Sequence, residues 1–225
     1  MYVVRVLRLA SSSPRRVALL GLLGVSFDAA PANVDESQYE SPARAKAEAV
    51  TRRGEVTLAA DTEVRLDGER IGKPRDEGDA VTMLANLADE THEVRTDVVV
   101  VGATGRSVSF AVRSRVTMRE LSLREIERYV TTGEPLDKAG AYAIQGVGRR
   151  LVESFEGCLA NVSGLPLCHV YFALRRAGVV TRERPEVACQ RHFDFVCPVW
   201  RGAQRQGRAL REGAEYASWS EQVEG

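Results

Sequence analysis

Val3-Val4-Arg5-Val6-Leu7-Arg8-Leu9-Ala10 is followed at once by Ser11-Ser12-Ser13-Pro14 and then by Arg15-Arg16-Val17-Ala18-Leu19-Leu20-Gly21-Leu22-Leu23. The first run, rich in Val and Leu, predicts a strand, and the Ser-Pro cluster interrupts it. What comes next has the marks of a helix start. Ser12 or Ser13 supplies a capping hydroxyl, Pro14 sits in the first turn where its missing N–H costs nothing, Val17 to Leu23 gives a buried face, and Gly24 ends the element. Strand, turn and helix in that order point to an α/β protein.

Working outward, Ser41-Pro42 announces a second helix that runs from Ala43 to Arg53 and stops at Gly54. Val56 to Ala60 then reads as a short buried strand ending at Asp61, which places that carboxylate at a strand's carboxyl end. Val64-Arg65-Leu66 and Glu69-Arg70-Ile71 flank Asp67-Gly68, a dipeptide that tolerates the positive φ of a tight hairpin. Ala80, Met83, Leu84 and Leu87 recur at helical spacing between Asp76 and Leu87. His92 to Val101 and Ser107 to Met118 form an antiparallel pair. Ser122 to Glu125 is a capping-box pattern before Ile126, with Gly133 as the stop. Asp137 to Gly148 is punctuated by glycine, and Leu165 to Ala177 reads as a last core helix closed by Gly178. Beyond it Arg, Glu, Gln and Gly dominate, with isolated Trp200 and Trp219 and little periodicity. Residues 1–180 are therefore expected to form one complete domain and 181–225 an appendage of unknown role.

Lys+Arg and Asp+Glu are both 31 in 225 residues, so no global field recruits nucleic acid or a membrane surface, and anion binding has to be local. Arg5 and Arg8 interrupt the first apolar stretch, which reads neither as a signal peptide nor as a span, and a cytoplasmic protein is expected. Four cysteines, Cys158, Cys168, Cys189 and Cys197, are too few for a disulfide framework at this length. Cys189, His192 and Cys197 invite comparison with a zinc site, but their spacing fits no usual pattern and no fourth ligand is evident. His92 and His169 read as scaffold.

The capped turn also carries chemistry. Free N–H groups at a helix start, the Ser13 hydroxyl and the Arg15 and Arg16 guanidiniums together suit a polyphosphate. The plainer reading is a capped helix with two solvated arginines. Glu36, Lys46, Asp61 and Lys73 lie in separate segments near predicted element ends, where α/β folds place ligands. Singly each has a structural reading, Asp61 as a turn cap and Lys46 as a solvated helix residue. Gly72-Lys73-Pro74 is no Walker A loop, because no Gly-x-x-x-x-Gly-Lys-Ser/Thr occurs.

Taken in order, Leu9-Ala10-Ser11 with Ser13-Pro14-Arg15-Arg16, Asp35-Glu36-Ser37, Ala45-Lys46-Ala47, Ala60-Asp61-Thr62 and Gly72-Lys73-Pro74 resemble the Maf family, as do Gly133-Glu134-Pro135, Asp137 to Tyr142, Ile144-Gln145-Gly146 and Gly164 to Leu167. The resemblance spans roughly Leu7 to Gly178. It implies an elongated mixed sheet flanked by helices, of the inosine-triphosphatase-like kind, with the active-site cleft between two lobes. It implies a nucleoside triphosphate cut between its α and β phosphates and a divalent metal cation, Mg²⁺ or Mn²⁺. By motif, Asp61 is the family's proton acceptor, and Arg15, Thr62 and Gln145 fall where it distinguishes substrates, in the combination of the branch acting on dTTP and UTP. The phosphates would meet Ser13, Arg15, Arg16, Lys46 and Lys73, and the metal Glu36 and Asp61, whose hard oxygens suit it. A sister branch takes 7-methyl-GTP, and members have been linked to septum formation, which gives two alternatives: another nucleotide, or a non-catalytic regulator. A homodimer is kept open. Ser37 to Ala45 is shorter than the family usually has.

Overall fold

The computed structural model describes residues 6–217. In chain order its elements are β1 (Leu7–Leu9), α1 (Pro14–Gly21), β2 (Asp28–Ala29), α2 (Pro42–Val50), β3 (Val56–Leu66), β4 (Glu69–Ile71), α3 (Glu77–Leu87) and β5 (Thr91–Val101). Then come β6 (Ser107–Met118), α4 (Leu123–Val130), β7 (Val152–Glu156), α5 (Leu159–Val162), α6 (Leu167–Arg176), α7 (Pro185–Phe193), α8 (Trp200–Arg208) and β8 (Ala214–Ala217). The strands make one mixed sheet in the order β2-β1-β3-β5-β6-β7, with β4 on β3 and β8 on β6.

Local chemistry explains many of the boundaries. Ser13 caps α1, its hydroxyl accepting the Arg16 N–H at 3.4 Å. Ser122 and Glu125 close a reciprocal capping box on α4, satisfying two orphan donors at once. Asp67 and Gly68 both take positive φ, 52° and 86°, so β3 folds back as β4 in two residues. Of the predicted first strand, Leu7 to Leu9 is regular; residues before Val6 lie outside the described part. The second helix ends at Val50 instead of Arg53, because Thr51 turns out of helical geometry and bonds back to the Ala47 carbonyl.

One expectation is corrected. Asp61 does not end a strand: β3 runs on to Leu66, paired with β5 throughout, Asp61 opposite Asp97. What ends near there is the neighbour. β1 covers the outer edge of β3 only at Val56 to Leu58, and β4 covers it only from Val64 to Leu66. Asp61 and Thr62 lie in the gap between, where the edge is open to the cleft.

Period-two alternation then sorts the core. Even-numbered side chains of β3 and β5 face one way. Leu58, Val98 and Val100 meet α1 and α6 through Leu19, Leu20, Val170 and Leu174. Val64 and Val94 meet α3 and α4 through Leu84, Leu87 and Ile126. These two clusters are the lobes, on one face of the sheet. On the other face α2 lies on Ala59 and Val99 through Ala43 and Ala47.

The tail is built onto this frame. Two helices and a strand form where little periodicity was readable. β8 pairs in parallel with β6 over Phe110 to Arg113, beside β7 on the same strand's outer edge. Leu210 enters the first core cluster, and Gln206 Oε1 lies 3.0 Å from Nε2 of the fully buried His169. Gly207 lets α8 cross α6 closely, since a Cβ there would stand 2.5 Å from the Phe172 ring. Whether residues 1–180 fold without this covering is a matter for truncation; its packing makes a sharper prediction. Leu210→Ala should cost about 2–5 kcal/mol, a fall in Tm of roughly 5–15 °C, as for other core leucines. An unchanged melting curve would show that the tail adds nothing to the core.

Two buried histidines set a pH window. His92, which shares a hydrogen bond with the Tyr142 hydroxyl at 2.7 Å, and His169 are both held by burial at a pKa of about 4, against an ordinary 6.5. The unfolded chain therefore takes up protons first, and stability present above pH 6.5 is lost as the pH falls towards 4. Each histidine accounts for up to roughly 3 kcal/mol of that loss. Urea midpoints at pH 7.5 and 5 should differ accordingly, and replacing His169 by Phe should flatten part of the slope.

Candidate active site

The gap on β3 opens into a cleft of about 290 Å³ between the lobes, lined by the α1 turn, Glu36, Lys46, Asp61, Thr62, Lys73, Gln145 and Gly164 among others. All the residues singled out above, from Ser13 to Gln145, line it.

Asp61 and Thr62 are adjacent on an extended strand, so their side chains leave by opposite faces. Asp61 faces α2. Its carboxylate is buried and receives the Lys46 ammonium at 2.7 Å, while Arg70 NH2 on β4 stands 3.5 Å from its other oxygen. The same Lys46 Nζ is 2.8 Å from Glu36, which a short 3₁₀ turn presents, Glu36–Gln38, capped by the Asp35 carboxylate. The segment from Ser37 to Ala45 delivers Lys46 between two acids. Thr62 faces the lobes. Its hydroxyl receives Arg16 NH2 at 3.0 Å and shares a 3.0 Å bond with Thr96, while Arg16 Nε donates to the Gly164 carbonyl at 3.0 Å. Gly164 has φ +107°, and a Cβ there would close to 3.6 Å from that Nε. Burial pulls the Arg16 pKa below its ordinary value, and the Asp61 and Glu36 carboxylates oppose the shift. Arg16 is therefore tied in place, whereas Arg15 is more open, with one long contact to Asp137 at 3.4 Å. Lys73 is exposed and, among the described residues, pairs with no carboxylate.

Across the cleft stands Gln145, at the start of the turn Gly146–Leu151. Its amide lies 3.5 Å from His192 of α7, so the tail reaches the cleft wall.

A family model for Maf-like proteins matches residues 6–177. The chain belongs to the Maf-like protein family. Family relatives include a dTTP/UTP pyrophosphatase of Anaeromyxobacter sp. (strain Fw109-5), 51% identical over 181 residues, 76% of this chain and 88% of the relative. Another, from Dictyoglomus turgidum, is 47% identical over 183 residues, 76% of this chain and 95% of the relative. A third, from Anaeromyxobacter dehalogenans strain 2CP-C, is 50% identical over 182 residues, 76% and 93%. Among solved structures, a nucleoside-triphosphatase described as a dITP/XTP pyrophosphatase from Mycobacterium abscessus is similar over 52% of this chain and 75% of its own, with 16% identity and a TM-score of 0.34, too slight a likeness to bear on function. α7, α8 and β8 lie beyond the region the family model matches.

Sequence reasoning missed four neighbours of this site: Glu63, Arg70, Asp97 and His192. Alternation along β3 puts Glu63 on the face of Asp61, and the hairpin register sets Arg65 opposite Arg70, so the first two were available from the pattern. Asp97 needed the β3–β5 register; burial raises its pKa, Arg95 at 2.9 Å counteracting. His192 needed the tail's path. Lys46 is the test of the cluster. Lys46→Met leaves a buried carboxylate short of its main partner and should cost about 3–5 kcal/mol in urea unfolding. Adding Asp61→Asn should recover much of that, and strictly additive effects would show that the pair is uncoupled.

Proposed function

We infer that this chain hydrolyses dTTP and UTP to the monophosphate and pyrophosphate. The observation that supports this most directly is the meeting of one buried carboxylate, Asp61, with Arg15, Arg16, Lys46 and Lys73 in a single cleft. Phosphoanhydride hydrolysis asks for little covalent help: it needs the phosphate charge neutralised and a water aimed at phosphorus. The relatives' named activity and the Arg15, Thr62 and Gln145 combination point to the same substrates.

The roles divide by geometry. The α1 turn offers N–H groups, the Ser13 hydroxyl and Arg15 to the phosphates, and Lys73 lines the same cleft. Asp61, anchored by Lys46, orients the attacking water and takes its proton. Thr62, its hydroxyl already engaged twice, acts by holding Arg16. Gln145 presents a donor and an acceptor to the pyrimidine edge.

A divalent cation, Mg²⁺ or Mn²⁺, belongs to this reading. Glu36 and Asp61 fit it as a pair, because their oxygens converge on one Lys46 ammonium and so stand close to each other. No three His, Cys, Asp or Glu side chains among the described residues are grouped to hold a metal ion, and the cation would be held by these two carboxylates together with the substrate's own phosphates. Bound there, it would add positive charge beside the scissile anhydride.

Pyrophosphate release from a nucleotide panel with either metal tests the reading. Asp61→Asn should abolish turnover while leaving the fold intact. Gln145→Ala should lower kcat/KM for dTTP roughly ten- to a hundredfold, by stranding a polar edge worth about 1–3 kcal/mol, and affect a poor purine substrate much less. Arg15→Ala should weaken both. A wild-type preference for GTP or 7-methyl-GTP would overturn the pyrimidine assignment, and an inactive wild type would leave the regulator.

A further inference from the structure

All four cysteines of the chain line one small cavity, although they come from four separate segments. Cys158 caps α5, Cys168 is in the first turn of α6, Cys189 is on α7, and Cys197 is in the loop before α8. The first two belong to the family region and the last two to the tail. The cavity is about 20 Å³, room for one small occupant, and its other walls include Phe193, Phe195 and Trp200. Glu186 and Gln190 are the polar residues of its wall, and four thiols beside them suit a soft cation. No disulfide joins the four.

We propose that Cys158, Cys168, Cys189 and Cys197 form a tetrathiolate zinc site that fastens the C-terminal tail to the Maf-like domain. Four thiolates around one ion is the closed, tetrahedral arrangement of structural zinc, with no position left for water or substrate. The side chains are not already set around a common point. Zinc binding would displace the thiol protons and hold the four sulfurs around one ion. His192, which shares α7 with Cys189, points elsewhere, towards Gln145. The ligands that sequence spacing failed to supply are thus Cys158 and Cys168, more than twenty residues upstream and on the core.

The site would have a structural consequence. Ser114 Oγ receives the Cys158 N–H at 3.2 Å, donates to its carbonyl at 3.3 Å, and also accepts from Asn161. The cap of α5 is therefore rigid. A cation joining it to α7 ties a segment outside the family region to the part of the core behind the cleft.

The full-length protein, purified without chelators, should carry about one zinc per chain by mass spectrometry of the metal. Asp61→Asn should retain that zinc, whereas Cys189→Ser and Cys197→Ser should each lose most of it. Cobalt replacing zinc in the wild type should give the strong near-ultraviolet thiolate band and intense visible bands of a tetrahedral sulfur site, a readout that does not depend on any variant folding. A wild type that neither carries zinc nor gives a thiolate band with cobalt overturns the proposal. So does zinc that survives both tail substitutions, or a disulfide between any two of the four found by mass in freshly purified protein.

Discussion

A carboxylate buried in the middle of a strand is costly unless a partner is brought to it, and in this protein the bringing is done by alanine. α2 reads Ala43-Arg44-Ala45-Lys46-Ala47, and Ala43 and Ala47 rest on Ala59 and Val99 of the sheet. Small side chains on both surfaces let the helix lie close, so that Lys46, buried along its stem, reaches Asp61 and Glu36 together. Larger residues at those alanines would lift the helix and take from Asp61 its nearest cation, at a cost of several kcal/mol. The meeting of Glu36 and Asp61 at one ammonium depends on that contact.

The parts legible in the sequence are those governed by local chemistry. Ser13 before Pro14, Ser122 with Glu125, and Asp67-Gly68 each satisfy or release backbone groups within a few residues, so their effect is readable without knowing the fold. Asp61 was misplaced for the opposite reason. Val56 to Ala60 are all buried, a pattern that says strand but not how far the strand goes. Its continuation to Leu66 is decided by β5, thirty residues on, and the opening at Asp61 by where β1 and β4 stop. The tail was opaque because α8, Trp200 to Arg208, is mostly polar and glycine; its small face makes sense only against α6. Site residues named from family motifs came together in one cleft, while Arg70, Asp97 and His192 depended on register or on the tail's path.

Behind the cleft a polar thread crosses the sheet's interior. Arg16 binds Thr62, Thr62 bonds Thr96, Thr96 donates to the Asn161 carbonyl, and Asn161 donates to Ser114, which holds Cys158. Every link but the first two is buried, and the Asn161 Oδ1 beside them has no hydrogen-bond partner among the described residues. The thread fixes the α1 arginine relative to α5 by hydrogen bonds instead of by packing, which gives it one geometry where apolar contacts would tolerate several.

The tail gains significance from where it touches. α7 and α8 could have covered any apolar part of the sheet, yet they lie on α6 and extend to Gln145, the residue assigned to the pyrimidine edge. A glutamine amide rotates freely unless something restrains it, and an imidazole at 3.5 Å restrains it only as well as α7 itself is fixed. α7 is fixed at one end through Glu186, bonded to Gln204 of α8, and along its length by the side of the thiol cavity. Residues outside the family region therefore form and brace one wall of the cleft, next to Gln145.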